Sequence, residues 1–180
     1  AGKESVLQAA LTAVSKLTEG KVHVSVGKND NSPFSDLKGI ELHKVSGPHP
    51  IGNVGTQIAH IDPINKGEVV WVVSPQDLLV IGELLLTGKL NLARTVALTG
   101  SQFSKPQYVT AIAGATIADI TASNLRNDNT RIISGNVLSG TQVKEEGFLG
   151  FYDNQITAIP EGDDYEFFGW NKPVFNKIST

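Results

Sequence analysis

The segment of residues 47–58, GPHPIGNVGTQI, constrains this chain more than any other. Its two prolines fix φ and remove backbone donors, and its three glycines permit positive φ and close approach of another backbone. A segment of this composition is neither an ordinary helix nor a central strand. It predicts a shaped loop, with a transition to a regular element near Thr56 and with His49 as its one ionisable side chain. Two interpretations are possible. The loop is either an ordered crossover between substructures, or a surface whose backbone is contacted by a ligand or another part of the protein.

Composition narrows the classes of protein to which the chain can belong. A length of 180 residues with 40% hydrophobic residues suits one large domain or two small ones. The net charge of -3, with no cluster of Lys or Arg, argues against a nucleic-acid partner. The longest apolar run, residues 78–86, is interrupted by Glu83 and is too short to cross a bilayer. We therefore expect a soluble chain.

Cysteine and methionine are both absent from the sequence. Without thiols the chain can form no disulfide, no thiolate metal site and no iron–sulfur cluster, and it has no cysteine nucleophile. A natural chain begins with Met, whereas residues 1–5 here lead almost directly into a predicted helix. The sequence is therefore expected to be a piece of a longer protein.

The first 65 residues predict the end of an α/β layer followed by the Gly/Pro loop. Apolar residues recur at helical spacing between Glu4 and Thr18, and Gly20 follows as a stop signal. Residues 21–27 then alternate like a strand, with His23 on the polar side of the alternation. A solvent-facing or edge histidine is expected at that position rather than a metal ligand.

The next part of the chain predicts a buried strand followed by a well-capped helix. Residues 68–73 form a nearly continuous β-branched run, which is typical of a buried strand. Ser74 is a good N-cap, Pro75 suits the first helical position, and Asp77 lies near the positive end of the helix dipole. The helix is expected to end at Gly88.

Residues 66–125 together predict a β-grasp-like α+β module. Two further strands are expected at residues 94–100 and 107–112, followed by a short helical turn. We expect the capped helix to pack across this sheet, with Leu85 in its buried face. The alternation of strand, helix, hairpin and short helix is the basis for this prediction.

Residues 126–180 predict a small β-rich segment with glycines at bends or close approaches. Its glycines lack the spacing of a nucleotide-binding loop. Most of the aromatic residues lie in this segment: Phe148, Phe151, Tyr152, Tyr165, Phe167, Phe168, Trp170 and Phe175. Such a cluster is typical of the core of a small β layer or of a partner interface rather than of a cofactor site.

The histidines are the only acid–base candidates near neutral pH. His60 and Asp62 would share one face of an extended segment, where His43 or His49 could complete a zinc trio. No HExxH motif, close histidine pair or nucleophile elbow supports a metal or catalytic site. We therefore predict no catalytic residue and no metal, flavin or nucleotide bound by this chain, and interpret it as a binding or assembly unit.

Taken together, these motifs resemble one family, the A subunit of the bacterial Na+-translocating NADH:quinone oxidoreductase. The stretches that match run in the family's order through nearly all of the chain: LTEGKV (17–22), GPHPIGNVGTQI (47–58), HIDP (60–63), VWVVSPQDLLVIGELLLTG (70–88), RTVALTG (94–100), KPQYVTAIAGA (105–115), RIISGNVLSG (131–140), LGFYDNQI (149–156) and EFFGW (166–170). The Gly/Pro loop and the RIISGNVLSG strand are too long and unusual for a chance similarity.

The resemblance implies an internal fragment of a peripheral subunit on the cytoplasmic side of the bacterial inner membrane. Residues 1–65 would then end a Rossmann-like layer, and residues 66–125 would resemble the soluble-ligand-binding β-grasp domain. The family's six-subunit complex passes electrons from NADH through flavins and an iron–sulfur centre to ubiquinone and exports Na+. In that complex the other subunits carry NADH oxidation and the covalent flavins, and they are this chain's expected partners.

The resemblance also links this chain with quinone binding and reduction. No quinone motif of the family matches residue by residue, so the site prediction rests on the loop. His49, Gly52, Gly55 and Thr56 are expected to face ubiquinone or an interdomain surface. The alternative is a free-standing β-grasp module that binds a small ligand or a glycan. An assembly subunit should expose an apolar docking face, whereas a binding module should keep a concave polar pocket.

Overall fold

The structure is a computed structural model that describes residues 2–121, 123–163, 165 and 167–171, without the side chain of Trp170. The helices are α1 (Glu4–Val14), α2 (Val54–Ile61), α3 (Pro75–Thr87) and α4 (Ile117–Thr121). The strands are β1 (His23–Gly27), β2 (Glu41–Val45), β3 (Ala93–Thr99), β4 (Gln107–Ile112), β5 (Thr130–Ser134), β6 (Thr141–Val143) and β7 (Gln155–Pro160). Short 3₁₀ helices occur at Pro33–Asp36 and Gly169–Asn171. The fold is therefore mixed, with helices and sheets in an α+β arrangement.

The chain divides into two compact units, Ala1–Leu92 and Ala93–Thr180. The first unit contains β1, β2 and the helices α1 to α3, and the second contains α4 and the remaining strands. Within the ranges that the structure describes, every helix is too short or too polar to span a bilayer.

In the first unit, α1 and α3 cross so closely that one position must be glycine. A Cβ added to Gly82 of α3 would lie 2.1 Å from the carbonyl oxygen of Val6 in α1. The crossing and the adjacent parallel pair β1–β2 enclose a small core, whose fully buried members are Leu7, Ala10, Leu11 and Leu78. Val22 and Val24 pack against this core from the sheet side, so the opposite face of β1 points away from it.

The predicted start and end of α3 are confirmed. Ser74 is the N-cap and its Oγ accepts a hydrogen bond from the Asp77 backbone N–H at 3.1 Å. Pro75 occupies the first helical position, and Gly88 ends the helix with a left-handed φ of 69°. These signals are local, which is why the sequence predicts them well.

The predicted packing of α3 is wrong. Within the first unit the helix packs against α1, and the Leu85 side chain, predicted to be buried, is 56% exposed. Leucine, isoleucine and valine surround most of α3, so its hydrophobic pattern does not select one face. The missing side chain at Gly82 selects it instead, because it allows the α1 backbone to approach.

The buried strand predicted at residues 68–73 is also wrong. These residues are in no strand of the described chain, and they are exposed, Trp71 by 78%. An extended β-branched run becomes a strand only when a neighbouring strand pairs with its backbone. Within the described residues, β1 and β2 pair only with each other, so they provide no such neighbour.

The second unit is built on a five-stranded sheet in the order β4-β3-β7-β5-β6. β3 and β7 are parallel, with Leu98 opposite Ile156, and the other pairs are antiparallel. Its buried core consists of Val96, Leu98, Phe103, Ala111, Ile117, Ile132, Leu149, Ile156 and Ala158. Strands predicted for a separate segment after residue 125 therefore belong to the same sheet as β3 and β4.

The aromatic cluster predicted near the end of the chain does not form this core. Phe103, which lies outside the cluster, is buried, whereas the described aromatic side chains of the cluster are exposed. Tyr165 is 98% exposed. Phe175 and the side chain of Trp170 lie outside the described residues. The interpretation of the cluster as the core of a small β layer is therefore wrong. Its interpretation as a partner interface stays a prediction.

Candidate functional site

The Gly/Pro loop folds as two successive tight turns. The Ile51 N–H donates to the Pro48 carbonyl at 3.0 Å, and the Asn53 N–H donates to the Pro50 carbonyl at 2.8 Å. Gly47 enters the loop with a φ of 153°. Each proline supplies the carbonyl of one turn, so the segment is a shaped loop, as predicted from its composition.

The loop is shorter than predicted, because α2 begins at Val54. Gly55 and Thr56, predicted to end the loop, therefore lie in the first turn of a helix. Asn53 precedes the helix in an extended conformation, and the Gln57 side chain donates to the Ile51 carbonyl at 2.9 Å. The Asn53 side chain makes no capping hydrogen bond, and a single glycine weakens a short helix without preventing it.

The four residues predicted to face quinone or an interface lie on one continuous surface segment. His49, Gly52 and Gly55 are exposed and Thr56 is half-buried. A Cβ added to Gly52 or Gly55 would meet nothing within 4 Å. Within the first unit, these two glycines are therefore not explained by close packing.

The zinc trio considered from the sequence is not assembled. His60 lies in α2 rather than in an extended segment, and its Nδ1 lies 2.8 Å from the Thr56 carbonyl oxygen, one helical turn back. Across the described residues, the one three-member group of possible metal ligands is His23, Glu41 and His43. Of these, the sequence had suggested only His43 as a ligand.

This His23–Glu41–His43 cluster follows from the register of the parallel pair β1–β2. His23 is opposite Glu41, and Ser25 is opposite His43. Residues 41 and 43 are two apart on one strand, so they share a face, and the register places His23 on the same face. This is the face of β1 opposite to Val22 and Val24, which pack on the helices.

Three ligand-type atoms converge in the cluster. Nδ1 of His23 lies 3.0 Å from Nε2 of His43 and 3.6 Å from Oε2 of Glu41. The two imidazole rings stack, with centroids 5.2 Å apart and planes inclined by 23°. The His23 side chain is only 27% exposed. Two imidazole nitrogens and a carboxylate form a donor set that suits divalent transition metals.

Two further charged side chains border the cluster. The Lys21 ammonium lies 2.5 Å from the other carboxylate oxygen, Oε1 of Glu41. This hydrogen bond is the main cause that lowers the pKa of Glu41, against a smaller opposing effect of desolvation, and it raises the pKa of Lys21. Oδ2 of Asp62 lies 3.7 Å from Nε2 of His23, the ring nitrogen that does not face His43 and Glu41.

Two family models match the chain. Residues 1–90 match one described as the NqrA second alpha/beta domain, and residues 95–145 match one described as the NQRA C-terminal domain. The A subunit of the Na(+)-translocating NADH-quinone reductase of Neisseria meningitidis serogroup B is 41% identical over 94% of this chain and 38% of its own length. The protein of the same name from Pasteurella multocida is 37% identical over 96% of this chain and 39% of its own. The chain thus spans less than two thirds of the length of these relatives.

Proposed function

The chain belongs to the NqrA family, and we propose that it forms part of the A subunit of a Na+-translocating NADH-quinone reductase. The observation that carries this proposal is the 41% identity to a curated relative of that name over 94% of the chain. In this proposal the protein is peripheral, on the cytoplasmic side of the inner membrane, and contributes to quinone binding and complex assembly. NADH, flavins and the iron–sulfur centre are handled by partner subunits. The free-standing ligand- or glycan-binding module is not retained.

We propose a β-grasp fold for the second unit. Its first and last strands, β3 and β7, form a central parallel pair. β4 flanks β3 and the hairpin β5–β6 flanks β7, with the short helix α4 between the two hairpins in the chain. This order supports a β-grasp module that begins near Ala93, later than the sequence had suggested. For the first unit, the parallel pair β1–β2 beside α1 and α3 supports the end of a Rossmann-like layer.

For the Gly/Pro loop, we propose a quinone-facing or interdomain surface in the parent protein. The two turns present His49 to solvent, and Gly52 and Gly55 leave their backbones open to a ligand. An imidazole can donate a hydrogen bond to a quinone carbonyl and exchange protons near neutral pH. Thr56 lies one helical position after Gly55, at the inner border of this surface.

The test is the His49→Ala substitution in the assembled parent complex. Loss of one hydrogen bond to quinone should raise the quinone KM by about 10-fold. NADH oxidation with an artificial acceptor that bypasses quinone should stay at the wild-type rate. His60→Ala is the matched control, because His60 is also an exposed histidine but lies on α2. It should change neither the quinone KM nor the rate of NADH oxidation.

A second substitution separates a ligand role from a scaffold role. His49→Gln keeps a side-chain hydrogen-bond donor and should recover part of the quinone affinity. If His49→Ala leaves the quinone KM and turnover unchanged, the ligand role is refuted and the loop is a structural crossover. Equal loss of both reactions would point to impaired assembly instead.

A further inference from the structure

We infer that the outer face of β1 and β2 binds one divalent transition-metal ion of the zinc class, through His23, His43 and Glu41. This inference departs from the sequence-based prediction that the chain binds no metal. It does not depend on the proposed role in quinone reduction. One ligand atom from each of the three residues lies within 4.8 Å of the other two. The contacts of His23 Nδ1 point to Nε2 of His43 and Oε2 of Glu41 as the other two ligand atoms.

The distances between these atoms match those around a tetrahedral zinc ion. Ligand atoms that lie about 2.0–2.2 Å from tetrahedral zinc are separated from each other by roughly 3.3–3.6 Å. The 3.6 Å between His23 and Glu41 is at the upper end of this range, and the 3.0 Å between the two nitrogens is slightly below it. The His43 and Glu41 ligand atoms lie within 4.8 Å of each other, so side-chain rotation would bring all three atoms around one ion.

A simple hydrogen bond between the two imidazoles explains less of the arrangement. Nδ1 of His23 has either one hydrogen or one lone pair in the plane of its ring, so it can bond well with one neighbour. Both the His43 nitrogen and a Glu41 oxygen nevertheless converge on this atom. A metal ion accepts electron pairs from all three atoms at once, which accounts for the convergence.

The neighbouring carboxylate of Asp62 favours the tautomer that a metal requires. Asp62 faces Nε2 of His23, the ring nitrogen that points away from the cluster. At 3.7 Å the contact is too long for a hydrogen bond, so the carboxylate acts on the ring only through its charge. That charge favours a hydrogen on Nε2, which leaves the lone pair of Nδ1 to a metal. Lys21 contacts the other carboxylate oxygen of Glu41, Oε1, so that Oε2 is the oxygen left for a metal.

The donor set also determines which ions should bind. Two imidazole nitrogens favour zinc, cobalt and nickel, whereas magnesium and calcium prefer sites made wholly of oxygen ligands. Three protein ligands leave a fourth tetrahedral position for solvent, and the cluster is open enough for this, since the Glu41 side chain is 41% exposed. We therefore expect a solvent-accessible site selective for zinc-class ions.

To test this, the full chain is first stripped of metal with a chelator. Zinc chloride is then titrated into it, and binding is measured by calorimetry. One ion per chain should bind, and titration with cobalt chloride should give the visible absorption of a tetrahedral complex. His23→Ala and His43→Ala should each weaken zinc binding by about 100-fold or more. Asp62→Asn should weaken it by only about 2-fold, because this exposed carboxylate makes no hydrogen bond to His23. His60→Ala is the matched control and should bind zinc like the wild type. Magnesium chloride should give no saturable binding.

A variant that folds poorly would lose zinc binding for a reason unrelated to its ligand atom, so folding is measured separately. Circular dichroism and thermal unfolding without metal identify any variant that has lost its structure. His43→Asn, which keeps a polar side chain of smaller size, then replaces His43→Ala. The inference is overturned if the wild type shows no one-to-one zinc binding. It is also overturned if folded His23 and His43 variants bind as tightly as the wild type, or if His60→Ala weakens binding equally.

Discussion

The two units differ in how completely they pack their own apolar residues. In the second unit, β3, β7 and β5 each have a strand on both sides, and a continuous core lies against the sheet. In the first unit the two strands pair only with each other, within the described chain, and the fully buried core is confined mainly to the crossing of α1 and α3. A two-stranded sheet is marginal by itself and depends on what packs against it.

The two units also differ in how their exposed apolar residues are distributed. In the first unit they form consecutive runs at residues 69–73 and 84–86, whereas in the second unit many are aromatic residues of loops. Contiguous exposed apolar runs are typical of docking surfaces. The second unit therefore contains its own packing partners. The first unit has the exposed apolar surface expected of a part of an assembly.

The largest effect should come from Gly100→Ala in the second unit. Gly100 has a φ of 101°, and a Cβ there would lie 2.2 Å from the Ala158 carbonyl oxygen. Backbone strain and displacement of β7 should together cost about 3–5 kcal/mol of unfolding free energy. Denaturant unfolding measures the cost, and hydrogen exchange should show lost protection in β3 and β7 but not in α1 and α3.

A matched control separates the clash from the backbone strain. Gly114 has a φ of 81°, but a Cβ there would meet nothing within 4 Å. Gly114→Ala should therefore cost only about 1 kcal/mol. Equal costs for the two substitutions would contradict the close packing of Gly100 against β7, and with it the tight core assigned to this unit.

The second prediction tests the core of the first unit. Leu78 is 7% exposed and packs with α1, so Leu78→Ala should cost about 2–3 kcal/mol, in the lower part of the range for buried leucines. The smaller core can relax around the cavity more easily, which is the reason for the lower value. Hydrogen exchange should show lost protection in α1 and α3 alone. Loss of protection in both units at once would mean that they unfold together, and the comparison would fail.

The sequence predicts the features that depend on neighbouring residues. The cap at Ser74, the stop at Gly88 and the turns made by Pro48 and Pro50 all arise within a few residues, and all are present. The helix α1 also begins at Glu4, where its apolar spacing predicts it, but it ends at Val14 rather than near Thr18. Family membership could be predicted as well, because it rests on whole motifs.

The sequence fails where distant segments must be paired. The strand predicted at residues 68–73 has the right composition but lacks a paired neighbour within the described chain. The His23–Glu41–His43 cluster was missed for the same reason. His23 and His43 share a face only because β1 and β2 are parallel and in one specific register. The alternating pattern of each strand was visible, but neither the pairing nor the register can be derived from it.

The smallest effect should come from Leu85→Ala, and it tests the exposed surface of the first unit. Because the Leu85 side chain is 56% exposed, this substitution should change the unfolding free energy by less than about 0.5 kcal/mol. Leu78→Ala on the same helix is the buried counterpart, so the pair compares one residue type in two environments. Denaturant unfolding at two protein concentrations measures the difference. A cost for Leu85→Ala near that for Leu78→Ala would show that the surface is covered in solution. If that cost rose with protein concentration, the covering surface would be a second copy of the chain.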